Sequence, residues 1–265
     1  MYRSSLMRGV LILLAALQCS LVHAVAIDLS TGSSGFGNTP AAGAFTDTYT
    51  FSLVSSASFN GALTSAVNGS QDVDFSSISL SGPSGVVATF AAIFPDPVEA
   101  LATPAAGVTL GPGLYTLSIN GTNSSGRGSY GGSLAVTPLS GSVNSSGSSG
   151  TQILDLSSGS TAFFNTPAAG NFADQYLFTV TAIALLNGSL ISALNGNQDV
   201  DFTSVILTGT SGPAAFTLLA PDPVEILAAP AAGFMLAPGN YVLSVLGTNS
   251  AGGGAYGGNV ALTPL

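Results

Sequence analysis

Residues 45–53 read FTDTYTFSL, and residues 172–180 read FADQYLFTV. In the first stretch Tyr49, Phe51 and Leu53 alternate with small polar residues. Side chains two residues apart lie on one face of a strand, so this spacing predicts half-buried strands and not helices. The same alternation recurs in three later stretches, at Tyr115, Leu117 and Ile119, at Tyr241, Leu243 and Val245, and at Tyr130, Leu134 and Val136.

Turn signals separate these predicted strands. Gly-Pro-Gly at 111–113 and the pair Pro238-Gly239 stand directly before alternating stretches. Between Phe75 and Ile78 the alternation slips by one residue, which predicts a bulge or a bend. About six to eight short strands in each part of the chain, joined at Gly, Pro and Asn, are typical of a β-sandwich. We therefore predict an all-β protein made of antiparallel, jelly-roll-like sandwiches.

The chain contains two copies of one unit, offset by 127 residues early and by 126 residues late. Between the copies, residues 140–150 are almost entirely Gly and Ser, a composition typical of flexible linkers. The repeat predicts a first domain at 25–139, a linker at 140–151 and a second domain at 152–265. The repeated motifs are NTPAAG (38–43 and 165–170), QDVDF (71–75 and 198–202), PDPVE (95–99 and 221–225), GTNS (121–124 and 247–250), YGG (130–132 and 256–258) and TPL (137–139 and 263–265).

The first 24 residues have the features of a secretory signal peptide. Arg3 and Arg8 precede a short apolar stretch at 9–17, and Val22 and Ala24 place small residues at the positions that a signal peptidase requires. The apolar stretch is too short to span a bilayer, so we expect export and no transmembrane anchor in the mature chain.

Removal of that segment changes the available chemistry. The only Cys (Cys19) and the only His (His23) lie within it, and Arg127 is the sole cation beyond it, whereas all twelve carboxylates remain. Nucleic acid is excluded as a partner because phosphate binding needs Lys or Arg. Sites of the Ser-His-Asp and Cys-His types are excluded as well. A two-carboxylate glycosidase is disfavoured because its sugar cleft would lack Trp and cations.

Every carboxylate of one copy has a counterpart in the other. Asp72 and Asp74, repeated as Asp199 and Asp201, would project on one side of a strand about 7 Å apart. One interpretation is a site for a hard cation, with calcium as the candidate cofactor. The alternative, which we favour, is that these residues cap a turn and protect a strand edge.

The remaining acids also have local interpretations. Asp47 and Asp174 stand among inward-pointing aromatic residues, where we expect them to accept hydrogen bonds from loop amides, because a buried carboxylate without partners is costly. The acids of the two PDPVE segments are interpreted as turn residues, with a cation site as the alternative. These four acids are Asp96, Glu99, Asp222 and Glu225.

Tyr130 and Tyr256 each precede a Gly-Gly pair. Either ring could be exposed and contact a glycan. We favour packing of both rings inside the sandwich, with the paired glycines allowing a close approach of another backbone.

These motifs together resemble the FxDxF-type PEP-CTERM proteins. The resemblance rests on residues 45–51, 72–75, 113–117 and 121–134 of the first copy, and on the corresponding stretches of the second. More distantly, the unit is similar to bacterial pre-peptidase C-terminal domains, which are compact β-sandwiches. The resemblance implies export in a Gram-negative bacterium and a location at the cell surface or in the exopolysaccharide matrix.

The chain departs from that family in two ways. Tyr49 and Tyr176 replace the second Phe of the name-giving motif, and no sorting tail follows Leu265, so anchoring by an exosortase is not carried over. Our leading hypothesis is a non-enzymatic surface or matrix protein whose two tethered modules bind polysaccharide with raised avidity. A calcium-stabilised adhesion module and a hydrolase are the alternatives.

Overall fold

The computed structural model describes residues 22–66, 72–94, 98–104, 107–139, 150–192, 199–221, 224–250 and 254–265. The described chain is built from β-strands, which confirms the predicted all-β class. Most of the predicted signal peptide (1–21) and of the predicted linker (140–149) lies outside the described residues. No helix among the described residues is long and apolar enough to cross a membrane.

The first half forms two facing sheets. One has the strand order β1-β3-β10-β5-β6, and the other has the order β2-β11-β4-β8-β7 with β9 also paired to β4. The strands are β1 (Val22–Ala26), β2 (Ser33–Asn38), β3 (Gly43–Leu53), β4 (Ala57–Ala66), β5 (Val73–Gly82), β6 (Gly85–Thr89), β7 (Ala91–Phe94), β8 (Val98–Ala102), β9 (Val108–Leu110), β10 (Gly113–Asn123) and β11 (Tyr130–Pro138).

The second half repeats this arrangement. Its sheets have the orders β12-β14-β21-β16-β17 and β13-β22-β15-β19-β18, with β20 also paired to β15. The strands are β12 (Thr151–Ile153), β13 (Ser160–Asn165), β14 (Gly170–Val180), β15 (Ala184–Ser192), β16 (Val200–Gly209), β17 (Ala214–Ala215), β18 (Thr217–Ala220), β19 (Ile226–Ala228), β20 (Phe234–Leu236), β21 (Gly239–Asn249) and β22 (Tyr256–Pro264).

The connections have jelly-roll topology. In each half the last two long strands insert between earlier ones, β10 between β3 and β5 and β11 between β2 and β4. Pairing is antiparallel except at the first strand of each half, where β1 runs parallel to β3 and β12 runs parallel to β14. The predicted antiparallel jelly roll is therefore confirmed, with one parallel edge strand added to each half.

The alternating residues form the core between the two sheets of each half. Tyr49 and Phe51 on β3 are buried, as are Tyr115 and Leu117 opposite them on β10. The ring of Phe51 stacks on that of Phe59, with 5.7 Å between ring centroids, and so joins the two sheets. Burial of this apolar face supplies the main driving force for folding each half.

The predicted bulge is also present. On β5 the register against β10 shifts between Phe75, which faces Gly121, and Ser77, which faces Asn120. The second half has the same shift between Phe202 and Ser204. A bulge increases local twist and turns side chains to the other face of the strand, as the slipped alternation indicates.

The two halves also pack against each other through the sheets that contain β11 and β22. An apolar cluster crosses the contact, with Ala62 and Ala100 from the first half and Ile191 and Ile226 from the second. Both faces of β11 and β22 are therefore buried, and their strands show no inside–outside alternation over the first seven residues. The linker composition predicts a flexible connection and leaves open whether the halves pack together, and in the structure they do.

Two predicted boundaries shift relative to the strands. β1 begins at Val22, three residues before the predicted mature start, and Thr151 of the predicted linker already pairs with β14. Position 24 is the counterpart of Thr151, so the repeated strand itself begins at Ala24. The unit that folds in each half thus includes this short parallel strand.

We expect Gly131→Ala to destabilise the protein by about 1–3 kcal/mol, because overpacked sites cost that much. A Cβ at Gly131 would lie 2.2 Å from the carbonyl oxygen of Gly258 in the other half, so backbone would have to move. Urea unfolding measures the loss. Gly111→Ala is the control, since a Cβ there meets nothing within 4 Å. Equal unfolding free energies for the two variants would contradict the close approach.

Candidate functional site

A carboxylate lies in the core of the first half. Asp47 is 1% exposed. Its Oδ2 accepts a hydrogen bond from the Tyr130 hydroxyl at 2.5 Å and another from the Asn38 side-chain amide at 2.9 Å. The Tyr49 hydroxyl lies 3.0 Å from that of Tyr130. We call these four residues the first carboxylate–tyrosine cluster.

The second half contains the same cluster. Asp174 is 2% exposed, and its Oδ2 accepts from the Tyr256 hydroxyl at 2.6 Å and from the Asn165 amide at 2.8 Å. The Tyr176 hydroxyl lies 2.8 Å from that of Tyr256. In addition, the backbone N–H of Gly150 donates to Asp174 Oδ1. The N–H group of Gly150 is a loop-amide donor of the kind predicted for Asp174. The phenol donors were not predicted from the sequence.

The direction of each hydrogen bond in the cluster follows from counting protons. A tyrosine hydroxyl has one proton to donate, and Tyr130 donates it to Asp47. The Tyr49 hydroxyl must therefore donate to the oxygen of Tyr130. A relay of two phenols and one amide thus ends on the carboxylate. Hydrogen bonds to a charged acceptor are stronger than neutral ones, and they offset the desolvation of Asp47.

Burial keeps the phenols of both clusters protonated. It raises the pKa of Tyr49 and of Tyr176 well above the ordinary value of a tyrosine. Burial also raises the pKa of Tyr130 and Tyr256, to which the neighbouring phenol and then the carboxylate add. The phenols of the two clusters are therefore unsuited to exchange protons with a substrate near neutral pH.

The sequence interpretation of the PDPVE acids is corrected for the glutamates. Glu99 lies in β8, and its Oε2 accepts the backbone N–H of Phe75 at 3.0 Å, beside the bulge of β5. Glu225 does the same for Phe202 at 2.7 Å. These carboxylates satisfy an amide at each bulge instead of initiating a turn. Asp96 and Asp222 lie outside the described residues.

The candidate calcium ligands lie at the start of β5 and β16. Asp72 and Asp199 are half-buried and directly precede these strands, Asp74 is exposed on β5, and Asp201 is half-buried on β16. Among the described residues, no group of three or more Asp, Glu, His or Cys side chains could hold a metal ion. Calcium binding stays a prediction from the sequence.

The predicted glycan contact at Tyr130 and Tyr256 is corrected. Both rings are 0% exposed, so neither has a face available to a sugar. Tyr130 instead stacks on Phe45, with 6.0 Å between the ring centroids, and Tyr256 stacks on Phe172 at 5.8 Å. The packing interpretation agrees with this burial.

Two buried asparagines, which sequence reasoning missed, organise the neighbouring loops. Asn123 is 0% exposed, and its side-chain NH₂ donates to the carbonyls of Pro40 and Gly128. Its Oδ1 accepts the backbone N–H groups of Gly126 and Gly128. Asn249 makes the matching bonds to Pro167 and Gly254. The recurrence of Asn inside GTNS, next to the NTPAAG repeat, was the available signal.

A cavity lies in the second half, where Arg127 of the first half approaches it. It has a volume of about 940 Å³ and walls from the second half, including Leu177, Thr179, Thr208 and Asn240. The first half contributes Arg127, an exposed residue on the loop before β11. Thr179 Oγ1 donates to Asn240 Oδ1 at 2.9 Å, a bond that does not use the NH₂ group of Asn240. We call this the seam cavity.

We expect Tyr130→Phe to lower the free energy of unfolding by about 2 kcal/mol, since it removes a donor from a buried charged acceptor. Tyr115→Phe is the matched control, because its hydroxyl donates to the neutral carbonyl of Gly111 and should cost about 1 kcal/mol. Urea unfolding followed by circular dichroism measures both. Equal losses would show that Asp47 gains nothing special from Tyr130.

We also expect stability to fall in alkali. The folded-state pKa of the four cluster tyrosines is raised, so their contribution is fully present below about pH 10 and is lost as the pH rises towards the folded values. Unfolding free energies between about pH 8 and 11, with tyrosinate absorbance, test this. In Tyr130→Phe/Tyr256→Phe the fall should be shallower. An unchanged free energy of unfolding across that range would contradict the assignment.

Comparisons with known proteins give no family. No protein-family model matches the chain, and no curated protein matches it. Among solved structures, the pre-peptidase C-terminal domain of a collagenase from Bacillus anthracis is 14% identical, with a TM-score of 0.27. The match covers 44% of this chain and 96% of that domain. The CUB1-EGF-CUB2 segment of human MASP-1/3 is 9% identical, with a TM-score of 0.23, and the match covers 87% of this chain and 99% of that segment. Similarity at this level establishes neither a family nor a function for the chain.

Proposed function

We propose that the chain is an exported, non-enzymatic module of a cell surface or an extracellular polysaccharide matrix. The observation that carries this proposal is the position of the repeated polar residues. Asp47 and Tyr130 are buried and hydrogen-bonded to each other, and the same holds for their counterparts Asp174 and Tyr256. The residue types that would be the natural candidates for acid–base chemistry are thereby committed to holding the sandwiches together.

Composition supports the same conclusion. Beyond residue 24 the chain has no Cys, His or Lys, and Arg127 is its only cation. Nucleophilic catalysis with an imidazole base is therefore excluded for a chain processed at that point. The resemblance to FxDxF-type proteins adds export from a Gram-negative cell and association with exopolysaccharide to this proposal.

The seam cavity is the region to which we assign saccharide contact. Hydroxyl and amide groups of Thr179, Thr208 and Asn240 line it beside apolar side chains, and the guanidinium of Arg127 adds hydrogen-bond donors. A volume of about 940 Å³ lies within the range of small-ligand sites. A hydroxyl-rich ligand would exchange bonds with water for bonds with these groups, while its apolar ring faces contact residues such as Leu177.

We expect the full chain to be retained on matrix polysaccharide and the variant Arg127→Gln/Asn240→Ala to lose about tenfold in affinity, the loss of one or two hydrogen bonds. Affinity electrophoresis in gels containing the polysaccharide measures retention. Asn171→Ala is the control, because Asn171 is exposed in the same half but does not line the cavity.

Two results would count against the proposal. Retention equal to that of the wild type in the double variant would remove the seam cavity from the binding site. Turnover of glycan or ester substrates by the purified chain would replace the non-enzymatic function with the hydrolase alternative.

A further inference from the structure

The contact between the halves has approximate two-fold symmetry. Gly131 and Gly257 occupy equivalent positions of the repeat, as do Gly132 and Gly258. A Cβ built at Gly131 would lie 2.2 Å from the oxygen of Gly258, and one built at Gly257 would lie 2.2 Å from the oxygen of Gly132. Each half thus presents the same patch to the other, as the subunits of a symmetric dimer do.

Next to this shared patch the two copies differ in a complementary way. The first copy has Gly35 and Gly37 on β2, where the second has Ala162 and Phe164 on β13. A Cβ at Gly35 would lie 2.2 Å from the Cβ of Phe164, and one at Gly37 would lie 2.4 Å from the Cβ of Ala162. The missing side chains of β2 leave the space that those of β13 occupy.

The same geometry rules against pairing of like halves. Gly35 faces Phe164, which is the equivalent of position 37, and Gly37 faces Ala162, which is the equivalent of position 35. In a symmetric pair of like halves, each of these positions would therefore face the other one in the partner. Two first halves would oppose glycine to glycine and lose the contacts made by Phe164. Two second halves would oppose Ala162 to Phe164, with Cβ atoms within about 2–3 Å, and repulsion at that distance would force the sheets apart.

Hydrogen bonds between the two halves also favour the pairing of a first half with a second half over the pairing of two first halves. Asn259 is 0% exposed, and its side-chain NH₂ donates to the carbonyl of Ser129 in the first half at 3.0 Å. Its Oδ1 accepts from Ser189, whose hydroxyl lies 3.1 Å from that of Thr64 across the seam. In the first copy the position equivalent to Ser189 is Ala62, so two first halves would lack this connection.

We propose that each inner sheet is a docking surface selective for the other half, so that a first half binds a second half in preference to its own kind. The glycines common to both copies permit the close approach, and the four residues Gly35, Gly37, Ala162 and Phe164 determine the choice of partner. The halves are then held together by this recognition, and the linker only keeps them at high local concentration.

The test uses the full chain with a protease site placed within residues 140–149, cut after folding. We expect the cut wild type to elute as one species in size-exclusion chromatography on dilution. Gly35→Phe should raise the dissociation constant of the cut halves by at least about tenfold, and the reversed pair Gly35→Phe/Phe164→Gly should recover most of that loss. Gly111→Phe, placed in open space, is the control and should leave the halves together.

Rescue by the second substitution distinguishes recognition from simple damage to β2. If Gly35→Phe only strained its own strand, Phe164→Gly would not restore association. Separation of the cut wild-type halves, or a reversed pair no tighter than Gly35→Phe alone, would overturn the proposal.

Discussion

A buried carboxylate held by phenol and amide donors is the constraint on which each half depends. Asp47 and Asp174 lie between two sheets, where an ion that lacks hydrogen bonds would cost several kcal/mol, about as much as the whole stability of a small domain. Each is served by a phenol from the last strand and an amide from the first antiparallel strand of its half. These donors come from opposite ends of the repeat, so satisfying the carboxylate requires the jelly roll to close. The FxDxF-like segment, the NTPAAG segment and the YGG segment recur together because they meet at one point.

The second constraint is the distance between the halves. Facing sheets usually pack about 10 Å apart because side chains fill the space between them. At Gly131 and Gly257 the backbones of the two halves come closer, to distances at which no Cβ fits. The outer surface of one sandwich thus becomes the inner surface of a larger assembly. This explains why β11 and β22 lack the alternation of polar and apolar residues that an exposed sheet would show.

Periodicity and repetition predicted the fold class, the strand faces, the bulge after Phe75 and the burial of Tyr130 in preference to its exposure. They failed where a side chain acts on a distant strand. Glu99 stands in a proline-rich segment that suggests a local turn, yet its carboxylate caps an amide on β5, a pairing that only the register of the sheets reveals. The linker composition left open whether the halves pack together, because Gly and Ser in the connecting chain carry no information about the surfaces that face each other. Gly35 could not be interpreted for a similar reason, since a glycine in a strand indicates that another group approaches closely but does not identify that group.

The two copies share their buried polar residues and differ where they face each other. The carboxylate, its phenol, its amide and the loop-organising asparagine occur in both halves, which is expected if each half must fold by the same means. The first copy has Gly35 where the second has Ala162, and it has Arg127 where the second has Gly253. Position 35 lies at the seam, and Arg127 reaches from the first half into a cavity formed by the second. At the surface where the copies meet, the exchange of Gly35 and Gly37 for Ala162 and Phe164 places glycines opposite side chains. The asymmetry of that surface is the observation on which the proposed selectivity of one half for the other depends.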